Sequence, residues 1–143
     1  MALSEDQIDL LRASMQRIRA RKQMMAAIFY ESLFEIAPHV RPLFRDDLIE
    51  QTEKVMIALG AVVAQIHDLD ACRDMTRELA VRHVRYGVEA KDYAFVGRAV
   101  LATLAEVLAE DFSSDLEAAW IAAYDAIAAA MIAAAYPEEL TAA

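Results

Sequence analysis

Apolar residues recur at helical spacing along most of the chain, and polar interruptions divide that pattern into about six segments. The first opens on Ser4-Glu5-Asp6-Gln7, which has the form of a capping box. Ile8, Leu11, Met15 and Ile18 then share one face, which predicts a helix that buries that stripe. Arg17, Arg19, Arg21 and Lys22 follow as a basic cluster suited to a solvated bend. A second helix carries Met25, Ile28, Phe29, Leu33 and Ile36, with Tyr30 and Phe34 on an adjoining line four residues apart, and Pro38 closes it. The connection PHVRPLFRDD has room for a turn or two of helix. It ends with Phe44 in a polar corner, where a large apolar side chain reads equally as a plug over the core edge or as a wall against a flat ligand.

Asp47-Leu48-Ile49-Glu50 again resembles a capping box, and Val55, Leu59, Val62, Val63 and Ile66 form an inward stripe behind it. Extended back one turn, the stripe reaches Gln51. A buried amide there needs a partner or costs about 1 to 3 kcal/mol, whereas an exposed first-turn glutamine costs nothing; both readings stand. In Glu78 to Val88, Leu79, His83 and Tyr86 fall on one inward face, and Gly87 supplies the residue that takes positive φ where a helix stops. An inward imidazole can stay neutral and offer one ring nitrogen to a metal while a backbone carbonyl holds the other; it can equally be a hydrogen-bonded core residue. Tyr93, Val96, Val100, Leu104 and Val107 define a further helix. Ser114-Asp115-Leu116-Glu117 then caps the last one, whose stripe is Leu116, Trp120, Tyr124, Ile127 and Met131 before Pro137 opens a polar tail.

Three glycines and three prolines in 143 residues, with 58% hydrophobic residues rich in alanine, confirm the all-α class and suit one domain spanning 1–143. The net charge of −9 repels phosphate backbones and anionic lipid surfaces, so nucleic acid is excluded as the expected partner. One cysteine, Cys72, cannot form an internal disulfide, and no basic, apolar leader precedes Ser4; the expected location is cytoplasmic. Ala118 to Tyr136 is nearly all apolar, yet Asp125 would cost about 2.5 to 3.5 kcal/mol at mid-bilayer and no basic flank anchors either end. It reads as a soluble helix rather than a membrane span.

Taken together, FYESLFEIAPHVRPLF from Phe29 to Phe44, Gln51 to Val55, LAVRHVRYGV from Leu79 and AWIAAY from Ala119 resemble the globin family, in particular bacterial single-domain haemoglobins and the haem domain of flavohaemoglobins. The likeness runs along essentially the whole chain. It implies a globin fold around haem b (iron protoporphyrin IX), with His83 as the proximal iron ligand and Phe44 flat against the porphyrin. On the distal side it implies Tyr30 and Gln51 as hydrogen-bond donors to bound O2, and Val55 as the apolar limit on ligand space. Tyr93 matches a tyrosine that, with a glutamate of the last helix, helps hold the proximal imidazole. The matching place near Ala135 carries no acid, so the resemblance leaves a backbone carbonyl to hold that ring and weakens any peroxidase-like electron donation. The function so implied is reversible binding of O2, with NO and CO as further ligands, and NO dioxygenation if an external reductase supplies electrons, since the sequence includes no flavin or nicotinamide domain. A haem-based gas or redox sensor and a haem-free interaction module remain the alternatives.

Overall fold

A computed structural model describes residues 3–44, 60–61, 63–64, 73–85 and 87–136. Helix α1 (Glu5–Ala20) starts on the expected capping box: the Ser4 hydroxyl accepts from the Gln7 N–H and the Gln7 side chain accepts from the Ser4 N–H, each at 3.1 Å. Its stripe of Ile8, Leu11, Met15 and Ile18 is buried as the periodicity requires. The chain bends at Arg21 into α2 (Lys22–Ile36). The basic cluster at that bend is exposed, though the Arg21 guanidinium also donates to the Val107 carbonyl at 2.7 Å. Pro38 ends α2 and begins a 3-10 helix, Pro38–Leu43, which delivers Phe44.

Helix α3 (Arg73–Arg85) ends where Gly87 adopts φ 90°. The Gly87 N–H bonds to the Val84 carbonyl and the Val88 N–H to the His83 carbonyl, both at 3.0 Å, the pairing of a Schellman stop. Helix α4 (Asp92–Leu108), a short 3-10 helix (Ala109–Asp111) and helix α5 (Ser114–Ala135) follow, and no strand occurs among the described residues. The cap of α5 is Ser113 rather than the expected Ser114. With an extended backbone at φ −69°, ψ 165°, the Ser113 hydroxyl reaches the Leu116 N–H at 3.1 Å, so the helix begins one residue earlier than the motif suggested.

The main core lies between α1, α4 and α5, where Leu11, Ile18, Leu104, Leu108 and Trp120 are almost fully buried. Val63 joins it from the stripe behind Gln51. The expected positions Gln51, Val55, Leu59, Val62 and Ile66, together with Tyr86, Cys72 and the tail from Pro137, lie outside the described residues. Trp120 resolves its polar atom by donating from Nε1 to the buried Ser14 Oγ at 3.1 Å, and Ser14 in turn donates to the Leu11 carbonyl at 2.8 Å. Helix α5 is 22 residues long and apolar enough by length and composition to cross a membrane. Its face through Leu116, Ala119, Trp120, Ala123, Ala128 and Met131 packs against the other helices instead of standing free. The most extensive helix pairings are α2 with α4 and α3 with α5, which put the His83 helix against the end of the chain's last helix.

Candidate functional site

His83 lies in the last turn of α3. Its Nδ1 is 2.6 Å from the Leu79 carbonyl oxygen. A carbonyl can only accept, so Nδ1 carries the proton and the lone pair of the neutral ring sits on Nε2. Burial lowers the imidazole's affinity for a second proton below the usual value of 6.5, with the Leu79 bond working against that shift as the smaller cause. The ring is therefore neutral near pH 7, the form in which an imidazole can bind a metal.

The sign of that shift predicts a pH dependence. The unfolded imidazole takes its proton near 6.5 while the folded one resists until lower pH, so the group contributes stability above 6.5 that is lost as pH falls through the folded value. Urea titrations of the haem-free protein between pH 7.5 and 5 are expected to show declining stability, with a shallower decline in His83→Gln. Equal slopes would mean the ring titrates as though exposed.

Tyr93, from the first turn of α4, stacks on this imidazole with ring centroids 6.1 Å apart and planes 24° apart. Gly97 makes room beside it: a Cβ there would sit 2.7 Å from Cε2 of Tyr124. Tyr124 thereby approaches α4 closely enough to donate from its hydroxyl to the Tyr93 carbonyl at 2.6 Å. Burial, with Tyr93 and Asp125 as lesser causes, pushes the Tyr124 hydroxyl far above the ordinary tyrosine range. At the other end of the segment that follows His83, the Tyr136 hydroxyl donates to the Val88 carbonyl.

The hydroxyl of Tyr93 is buried and makes no hydrogen bond among the described residues. Desolvation, with Tyr136 as a second cause, pushes its pKa up to about 12. An orphaned buried donor needs a physical explanation. Here the surroundings supply one, since Tyr93 shares an apolar cluster with Ala80, Ala128, Met131 and Ala135, and position 135, where the sequence likeness called for an acid, offers only a methyl group. The imidazole is held by the Leu79 carbonyl, the alternative that the sequence left open.

A second group of side chains forms around Tyr30, which is 5% exposed. Phe29 meets its ring edge-on at 5.2 Å, Phe44 edge-on at 5.5 Å, and Phe34 stacks on it at 5.9 Å. Phe44 is held from outside by Arg41, whose guanidinium donates to the Phe44 carbonyl at 3.2 Å and lies 4.9 Å from the centre of the Phe34 ring. The structure thus brings Tyr30 together with Phe44, and His83 together with Tyr93. Gln51 and Val55 lie outside the described residues.

These groups fit a flat prosthetic group that brings its own metal ligands. Among the described residues no three His, Cys, Asp or Glu side chains converge, and the tautomer of His83 leaves the Nε2 lone pair for a metal. Aromatic side chains such as Phe44 supply planar apolar contact. Sequence reading missed Asp92, a buried carboxylate at the start of α4, although an acid directly before a helical stripe is an N-terminal signal.

Comparison with known proteins shows the family to which the chain belongs. The family model described as Globin matches residues 27–131. A neuroglobin of the fish Chaenocephalus aceratus is 27% identical over 143 residues, covering 90% of each chain. A flavohemoprotein of Bordetella pertussis is 29% identical over 133 residues, which is 91% of this chain and 33% of that protein. Among solved structures, an engineered carbene transferase built on a protein assigned as a nitric oxide dioxygenase of Rhodothermus marinus superposes with a TM-score of 0.85 at 29% identity, over 98% of both chains. A bacterial globin from Campylobacter jejuni shares the fold, with a TM-score of 0.81 at 22% identity over 98% of this chain and all of that one.

Proposed function

Because the chain belongs to the globin family, whose members generally bind haem, we propose that it carries haem b with His83 as the proximal ligand and binds O2 reversibly. The observation that carries this reading is the 2.6 Å bond from His83 Nδ1 to the Leu79 carbonyl, which commits the ring to the tautomer with its lone pair on Nε2. When bound, haem would supply an iron able to take up diatomic gases, with His83 as the residue that would hold it. In this reading Phe44 walls the porphyrin, Tyr30 and Gln51 donate hydrogen bonds to the gas ligand, Val55 limits the space beside it, and Tyr93 holds the plane of the His83 ring.

NO and CO are the other ligands proposed. NO dioxygenation is supported by the likeness to the Rhodothermus structure, whose parent protein is described as a nitric oxide dioxygenase, and would draw electrons from a reductase outside these 143 residues. The neutral, carbonyl-held imidazole and the methyl group at Ala135 favour reversible binding over chemistry that needs a strongly electron-donating ligand.

The test is reconstitution with haem, followed by absorption spectra of the ferric, dithionite-reduced, O2-exposed and CO-exposed forms. A five-coordinate ferrous Soret band that gives way to a stable oxygenated spectrum is expected. Absence of specific haem uptake would overturn the proposal.

The same reading predicts a gain. Position 135 packs against the Tyr93 cluster and is where the family likeness calls for an acid, so in Ala135→Glu the iron–imidazole stretching band should rise in frequency as a carboxylate gives the ring imidazolate character. Resonance Raman of the ferrous form reads this directly. An unshifted band would show that position 135 does not reach the imidazole.

A further inference from the structure

One buried carboxylate joins two segments that the gas-binding reading treats separately. His39, on the 3-10 helix that leads to Phe44, has its Nε2 2.9 Å from Oδ1 of Asp92, the first residue of α4. The other oxygen, Oδ2, accepts the Glu89 N–H at 2.9 Å and so fastens the connection that follows the His83 helix. The Asp92 side chain is 5% exposed and that of His39 is 49% exposed. A carboxylate this deep is costly to bury unless its oxygens are bonded, and His39 and Glu89 supply those bonds from two different parts of the chain.

Packing reinforces the same junction. A Cβ at Gly87 would lie 3.1 Å from Cδ2 of Leu43, so the 3-10 helix abuts the corner that stops α3. The Phe95 ring meets the His39 imidazole edge-on at 5.3 Å and limits where that ring can turn. Asp92 also directly precedes Tyr93, whose ring stacks on His83.

We propose that the His39–Asp92 pair is a strap that positions the Phe44-bearing 3-10 helix against the His83 corner, and that His39 is thereby a positioning residue for the haem pocket. The inference rests on the proposed roles of His83 and Phe44. Loosening the strap lets the wall and the proximal corner move independently, so haem should leave more readily and the imidazole should settle in a different orientation.

The experiment uses the haem-loaded protein and four forms: wild type, His39→Ala, His39→Gln and the double variant His39→Ala with Asp92→Asn. His39 is half exposed, so its removal leaves the core intact, and glutamine retains an N–H that can donate to the carboxylate. Haem release is timed by transfer to excess apomyoglobin, and the ferrous iron–imidazole band is recorded by resonance Raman. Release from His39→Ala is expected to quicken about tenfold with a shifted band, an effect of the size seen when groups behind a metal ligand are removed. His39→Gln should remain near wild type, and the double variant should be no worse than His39→Ala alone, because both changes cut one bond. If His39→Ala lowers only the melting temperature and leaves release and band unchanged, the pair is a structural bond and the strap is refuted. Wild-type protein that takes up no haem would overturn the function proposal and this inference together, which a normal wild type with an unresponsive His39→Ala would not.

Discussion

His83→Ala is expected to abolish the iron-bound state of haem: the five-coordinate ferrous Soret and visible bands of the wild type should be absent, and haem should be lost on gel filtration. The substitution removes the Nε2 lone pair, and among the described residues no second histidine is placed to replace it. His39 is engaged with Asp92, and His67 lies outside the described residues. The change also removes the ring that stacks on Tyr93 and leaves the Leu79 carbonyl without its side-chain donor, so far-ultraviolet circular dichroism should be recorded alongside to confirm that the helices persist. Exogenous imidazole added to the variant should restore the wild-type bands, since it supplies the same nitrogen in the space vacated. Unchanged bands without added imidazole would remove His83 as the ligand while leaving the fold unaffected.

Tyr30→Phe is the second large effect, and it acts on the ligand rather than on the haem. Dioxygen on ferrous haem carries partial negative charge that a hydroxyl can stabilise, whereas carbon monoxide gains little from such a donor. A hydrogen bond to a charged acceptor is worth about 1.5 to 3 kcal/mol, so O2 dissociation measured by stopped flow should quicken by about ten- to a hundredfold while CO dissociation barely changes. Phenylalanine preserves the ring contacts with Phe29, Phe34 and Phe44, so the change isolates the hydroxyl. If O2 leaves at the wild-type rate, Tyr30 does not face the ligand.

The origin of these expectations differs from residue to residue. The inward face of α1, the stop at Gly87 and the orientation of the α5 stripe were legible in the sequence, because each depends on residues within a turn or two of one another. The choice between Ser114 and Ser113 as the cap of α5 was not, since adjacent serines carry the same hydroxyl and only the extended backbone at Ser113 decides which one reaches an N–H. His83 could be named as an inward imidazole from spacing alone and as an expected ligand from the family likeness. Which atom would hold its Nδ1 stayed open until the side chain's direction was seen.

By itself, then, the sequence determined the all-α class, the buried faces of the described helices and the residues with chemistry to offer, because apolar period and capping are local properties of the chain. The tertiary structure alone decided the polar pairings. Trp120 finds Ser14 across 106 residues, His39 finds Asp92 across 53, and Tyr124 finds the Tyr93 carbonyl only because Gly97 lets α4 and α5 approach. Periodicity states which face of a helix avoids water but not which neighbour it will meet. A hydrogen bond needs its two atoms within about 3 Å, a condition set by how helices far apart in the chain pack together.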